Sequence, residues 1–161
     1  MNIRVWQAAV FVFALSVGVR ADIGGCQDHS GDFTSTLVPP PACQSPIGIC
    51  TNGVLTGDVE GTYDFIMTEL VCGTDPLEPA LCTYEGDSIV TTEKGTIITK
   101  DTGVMRQLPP PALTPFVTTA EFIDGTRRYK NATGVFVATG ELNFVTGEAV
   151  GEYSLQVCHT Q

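Results

Sequence analysis

The stretch GEAVGEYSLQV, at residues 147–157, decides the fold class. Its residues alternate between two faces, as the side chains of a β-strand do. One face carries the small or apolar residues Ala149, Gly151, Tyr153, Leu155 and Val157. The other face carries Glu148, Glu152, Ser154 and Gln156. This pattern predicts a strand with one face in a core and the other in water.

Six further runs of β character precede it and are separated by glycine, proline and other turn residues. They lie at residues 53–61, 62–71, 83–92, 95–105, 116–123 and 135–144. The faces of 83–92 and 95–105 are not distinct enough to show which side is the core. Glycines recur within the runs, as strongly bent strands require. The sequence therefore predicts an all-β protein, a single calycin-like antiparallel β-barrel with seven clear strands and a possible eighth.

The N-terminal part of the chain has a different composition. Residues 1–21 combine Arg4, an apolar run from Val5 to Val19 and a small residue, Ala21, before the expected cleavage point, which is typical of a signal peptide. Residues 22–49 are rich in Gly, Pro, Ser and Asp, which predicts an irregular arm before a barrel domain at 50–161. We therefore expect a secreted or periplasmic protein. An alternative is lipid anchoring through Cys26, because IGGC at 23–26 loosely resembles a lipobox.

Six cysteines follow residue 21, an even number that suits three disulfides in an exported chain. In an up-and-down barrel the first and last strands are neighbours, which favours Cys50–Cys158. Cys72 and Cys82 bracket one connection and form the natural second pair, which leaves Cys26–Cys43. Fifteen pairings are possible for six cysteines, so this assignment depends on topology alone.

The charge balance argues against nucleic acid as a partner. The whole chain has a formal net charge of −10. Removing residues 1–21 leaves 6 basic and 18 acidic residues, a net charge of −12. Such a field repels phosphate backbones and attracts cations. We expect no nucleic-acid partner, no membrane span, no cofactor and no structural metal, and the oligomeric state stays open.

One part of the chain resembles a known superfamily. The segments GTRRYKNATG at 125–134, VFVATG at 135–140 and TGEAVGEY at 146–153 resemble the C-terminal half of the allene oxide cyclase and dirigent barrels. There a G-x-x-x-Y-x-x-A-x-G-x-F-x-x-x-G run leads into a glycine-punctuated final hairpin. The resemblance implies an eight-stranded antiparallel barrel with a central cavity for apolar small molecules. It transfers no functional residue to this chain.

A few residues are candidates for chemistry or binding. Glu69 shares the apolar parity of Tyr63, Phe65 and Met67, so it is the candidate catalytic acid or base if it projects into the barrel. The alternative is a strand that ends near Glu69 with the carboxylate in solvent. The candidate ligand-binding residues are Tyr63, Phe65, Met67 and Tyr153, although a buried tyrosine more often bonds to backbone.

The other motifs give weaker indications of function. Asp58, Glu60 and Asp64 cluster in sequence but depart from calcium-loop spacing. His159 lies too close to the chain end for a catalytic triad. Asn131 begins a glycosylation sequon that coincides with the family turn motif, which favours a structural role.

Three functions remain open at this point. The leading hypothesis is a non-enzymatic barrel that binds a small apolar ligand or acts as an extracellular interaction module. The rival is a cofactor-independent cyclase or isomerase that acts through pocket shape. The third is a purely structural barrel filled by its own side chains. A buried carboxylate facing open cavity space would favour catalysis, whereas a wholly apolar lining would favour binding.

Overall fold

The computed structural model describes residues 25–73, 77–107 and 113–159. The predicted signal peptide at 1–21 lies outside the described residues. Eight strands and one short 3₁₀ helix at Arg127–Tyr129 make up the fold. The strands are β1 Cys26–Leu37, β2 Cys50–Gly57, β3 Gly61–Cys72, β4 Leu81–Thr92, β5 Gly95–Arg106, β6 Thr114–Gly125, β7 Ala132–Asn143 and β8 Glu148–His159.

The strands form a closed barrel in which each pairs antiparallel with the next along the chain. β1 pairs with β8 over eleven residue positions, from Cys26 opposite Cys158 to Thr36 opposite Glu148. Closure leaves no unpaired sheet edge among these strands, so no edge is available for pairing with another chain. The predicted all-β barrel is confirmed.

The predicted irregular arm is wrong where it covers residues 26–37, because this segment is β1. Its inward face carries Gly31, Phe33 and Ser35, so Phe33 is the one large apolar side chain on this face before Leu37 at the end of the strand. A strand this poor in apolar residues gives no hydrophobic alternation. β1 therefore supplies the eighth strand, and the barrel begins at Cys26 instead of residue 50.

Two of the three predicted disulfides are wrong for the same reason. The structure joins Cys26 to Cys158 and Cys43 to Cys50, and not Cys50 to Cys158 or Cys26 to Cys43. The argument that the first strand starts beside the end of the last strand holds, but the first strand starts at Cys26. Cys72–Cys82 is present as predicted. Three disulfides are typical of proteins that fold in an oxidising environment.

The disulfide at Cys26 also bears on the lipid-anchor alternative. A cysteine whose sulfur is bonded to Cys158 has no thiol left to carry a lipid. Within the described residues, no helix has the length and apolar character needed to cross a membrane.

Apolar residues fill the barrel at two levels. The connections β2–β3, β4–β5 and β6–β7 lie at one end, the base, where Val59, Tyr129, Tyr153 and Val157 belong to the larger core cluster. A smaller cluster of Met67, Cys82, Tyr84 and Met105 lies toward the opposite end, the top. Phe116 packs against both clusters.

The disulfide that joins the first strand to the last should stabilise the fold more than the short one. Cys26–Cys158 spans 132 positions and Cys43–Cys50 spans 7. The chain-entropy relation gives about 5 kcal/mol for the long loop and about 2.5 kcal/mol for the short one. Urea unfolding of Cys26→Ser/Cys158→Ser and Cys43→Ser/Cys50→Ser should reproduce this order. Equal losses would show that loop length does not govern stability here.

Candidate ligand-binding cavity

The barrel interior contains a cavity of about 110 Å³. It lies above the residues of the larger core cluster at the base and extends toward the top. Inward-facing residues from all eight strands line it, together with Ile49 from the β1–β2 connection. Six of the lining residues are aromatic: Phe33, Tyr63, Phe65, Tyr84, Phe116 and Phe136. Six more are polar, namely Ser35, Thr51, Ser88, Thr99, Asp101 and Thr118, and the rest are apolar.

Three of the four candidate ligand-binding residues line this cavity. Tyr63, Phe65 and Met67 all project inward from β3, as their parity predicts. Tyr153 also points inward and belongs to the larger core cluster, but it is not among the residues that line the cavity. Its hydroxyl accepts from the Val59 amide at 3.1 Å and lies 2.9 Å from the Val59 carbonyl oxygen. Tyr153 is therefore a buried tyrosine bonded to the backbone, which was the alternative to a ligand-binding role.

Glu69 does not reach the interior. The β3–β4 register shifts between Met67 and Glu69, so the bulge at Thr68 reverses the parity of the strand. Glu69 consequently faces outward and is exposed, while Leu70 takes the inward position opposite Tyr84. The interior-carboxylate prediction for Glu69 is wrong because one extra residue in a strand exchanges its faces.

A different carboxylate, Asp101 on β5, does face the cavity, and its side chain is 3% exposed. Ser88 donates its hydroxyl to Asp101 Oδ2 at 2.5 Å, and Thr99 donates to Oδ1 at 2.6 Å. Burial raises the pKa of Asp101 above its usual value, against the two hydroxyl donors, which lower it. Within residues 25–73, 77–107 and 113–159, Asp101 is the one charged side chain that lines the cavity.

The alternation of side chains along β5 contained evidence that Asp101 faces the interior. In β5 the inward positions are Ile97, Thr99, Asp101, Gly103 and Met105, so the carboxylate shares its face with buried apolar residues. The other face carries Lys100 and Thr102, both exposed, with Ile98 half-buried. Threonine occurs on both faces and an isoleucine on each, which made the two sides of β5 indistinct.

Small residues flank Asp101 on both neighbouring strands. Gly86 on β4 and Ala120 on β6 are its direct cross-strand partners. The ring of Phe65 occupies the space where a Cβ on Gly86 would lie. The strand neighbours of Asp101 therefore leave room for the Phe65 ring on one side and present only a methyl group on the other.

The other polar groups of the lining bond to the barrel wall. The Tyr84 hydroxyl bonds to the Thr118 hydroxyl, and burial raises the pKa of Tyr84 to about 12. Burial also raises the pKa of Tyr63, against side-chain hydrogen bonds with Ser35 and Thr51. Both tyrosines thus remain protonated at neutral pH.

Apolar side chains surround the top of the barrel. Each of the four connections at this end exposes at least one large apolar residue: Ile47, Leu77, Leu113, Phe144 and Val145. We call this set the apolar rim. It lies at the end of the barrel toward which the cavity extends.

The remaining motifs from the sequence analysis lie in turns or at a strand end. Asp58 accepts from the Ser30 amide at 2.8 Å, and within the described residues no three His, Cys, Asp or Glu side chains form a metal-binding group. Asn131 adopts a left-handed φ of 61° after the 3₁₀ helix, as a turn residue does. His159 ends β8, and its amide donates to the Gly25 carbonyl.

Together these features define a class: a closed eight-stranded antiparallel barrel, cross-linked by disulfides, with an aromatic cavity that contains one carboxylate. Comparison with protein-family models, curated proteins and solved structures finds no match to this chain.

Tyr153→Phe should destabilise the base of the barrel. The substitution leaves the buried Val59 amide without its acceptor, a loss of about 1–3 kcal/mol. Urea unfolding of the variant and the wild type measures this loss of unfolding free energy. Tyr129→Phe, in the same cluster, removes a hydroxyl without touching that amide and should cost less. Equal losses would contradict the role assigned to Tyr153.

Asp101 should make stability depend on pH. Because its pKa in the folded state is raised above 3.8, the native state holds the proton more tightly, and stability falls as pH rises from about 3.8 through the folded pKa. Subtracting the unfolding free energies of Asp101→Asn from those of the wild type across this range should isolate the decline. Asp64→Asn, at an exposed carboxylate, is the control. A pH-independent difference would contradict the assignment.

Proposed function

We propose that this protein is an exported barrel that binds a small, mainly apolar molecule in its interior. The observation that carries the proposal is the cavity, which apolar and aromatic side chains line around one patch formed by Asp101, Ser88 and Thr99. Small-molecule sites typically combine such walls with a few placed polar groups. The three disulfides suit an extracellular or periplasmic location.

The cavity volume limits the size of the ligand. At about 110 Å³ it is smaller than a cavity of about 150 Å³ that accepts benzene, and well below drug-sized sites of about 300–1,000 Å³. A ligand of roughly four to six non-hydrogen atoms fits without rearrangement. A larger ligand would leave part of its body at the apolar rim. The same volume argues against the purely structural alternative of a completely filled barrel.

The resemblance to allene oxide cyclase and dirigent barrels supports the same proposal. Its implications, an eight-stranded barrel and a central cavity, agree with the fold and the site described above. Membership of that superfamily is part of the proposal and supplies no residue roles.

The second candidate is a cofactor-independent isomerase or cyclase, and Asp101 is the observation that favours it. A buried carboxylate with a raised pKa that faces a cavity is suited to proton transfer. Asp101 takes the place of Glu69 in this hypothesis. A ligand recovered with the protein decides between the two, because NMR of that ligand with catalytic amounts of protein shows either turnover or binding alone.

A cavity-filling substitution tests the proposal directly. Ala138→Leu adds three carbons to the lining, so ligand-observed NMR with isobutanol as the probe should show binding by the wild type and none by the variant. Thr139→Leu, at the adjacent exposed position, is the matched control and should bind as the wild type does. Undiminished binding by Ala138→Leu would place the site elsewhere.

A further inference from the structure

Among the described residues, Asp101 has no basic partner inside the barrel. Of the described side chains that line the cavity, none is Lys, Arg or His. The adjacent Lys100 projects outward, where its Nζ lies 2.8 Å from Asp87 Oδ1, and both side chains are about half exposed. Buried carboxylates are costly unless a cation or strong donors compensate them.

The hydrogen bonds around Asp101 suit its ionised form. Ser88 and Thr99 each donate to a different carboxylate oxygen, so both hydroxyl protons are used to hold negative charge. An ionised carboxylate has about four acceptor positions, of which these bonds occupy two. The free positions can accept from a donor placed in the cavity.

Aromatic rings from both sides of the Asp101 strand line the same cavity. The Phe65 ring lies over Gly86, which is paired directly with Asp101. Phe136 is the cross-strand partner of Ala120, which is paired with Asp101 on the other side. Ring faces attract organic cations, and several rings around one cavity are the usual means of binding alkylated ammonium groups.

We propose that the ligand is a small organic ammonium ion whose charged nitrogen bonds to Asp101 and whose alkyl body packs on the rings of the cavity. This inference rests on the proposed function, since it names the ligand class of the same cavity. An inorganic divalent cation is a poorer fit, because one carboxylate among phenyl rings does not supply the six to eight oxygen ligands that Ca²⁺ takes.

The rest of the molecule suits a cationic ligand. The net charge of −12 that remains beyond residue 21 attracts cations toward the protein. The apolar rim tolerates the alkyl part of such a ligand at the top of the barrel. Neither feature would favour an anionic ligand.

The test compares isobutylammonium with isobutanol, which share a carbon skeleton and differ in charge. Calorimetric titration of the full disulfide-bonded protein near pH 7 should show the ammonium bound at least about tenfold more tightly. Asp101→Asn should remove this preference while leaving isobutanol affinity within about twofold. Thr99→Val, which retains the carboxylate but removes one of its donors, should preserve the preference.

The pH dependence gives an independent readout. Protonation of Asp101 below its pKa should weaken ammonium binding and leave isobutanol binding unchanged. The other titratable side chains of the lining are Tyr63 and Tyr84, which stay protonated throughout this range. On the outer face Asp87 and Lys100 flank the strand, so Asp87→Asn should not remove the pH effect.

The outcomes separate this inference from the proposed function. Equal affinity for the two probes, or an ammonium preference that survives in Asp101→Asn, would overturn the ammonium assignment while leaving a cavity that binds small molecules. Binding of neither probe by the wild type would overturn both. Loss of both probes in Ala138→Leu, with the preference intact in Thr139→Leu, would support both.

Discussion

The barrel depends on close contact between aromatic rings and glycines on neighbouring strands. Tyr63 lies over its cross-strand partner Gly53, and a Cβ built on that glycine would be 2.8 Å from Tyr63 Cε1. Tyr153 lies over Gly31 in the same way, with its hydroxyl oxygen 2.7 Å from the position of such a Cβ. Because the glycine has no side chain, the ring can lie against the wall of the barrel instead of filling its centre.

This arrangement explains how a small barrel rich in large residues keeps an open interior. Each ring crosses the strand beside it, so its hydroxyl reaches the next part of the wall: Tyr153 reaches Val59, and Tyr84, which lies over Gly103, reaches Thr118. The tyrosine hydroxyls therefore form their hydrogen bonds within the wall of the barrel. The space that remains in the centre faces the rings and the one carboxylate.

The same contact marks the limit of prediction from sequence. Seven strands were predictable from runs of β-forming residues bounded by turn residues, but β1 was missed because its inward face is filled by a neighbour, the Tyr153 ring over Gly31. The wrong start of the barrel then led to the wrong partner for Cys158. Glu69 was assigned to the wrong face of β3 because of a bulge that depends on pairing with β4. The sequence of one strand alone does not show how that strand pairs.

The surroundings of Asp101 are consistent with the binding role proposed for it. A carboxylate that only stabilised the fold would be expected to pair with a basic side chain or to bond to backbone amides. Asp101 instead receives two hydroxyl donors along its wall, and its cross-strand neighbours Gly86 and Ala120 are too small to cover it. These contacts fix the carboxylate in place and leave its inner side toward the cavity. Two hydroxyl donors compensate the buried charge only in part, and the proposed ammonium ligand would add to that compensation.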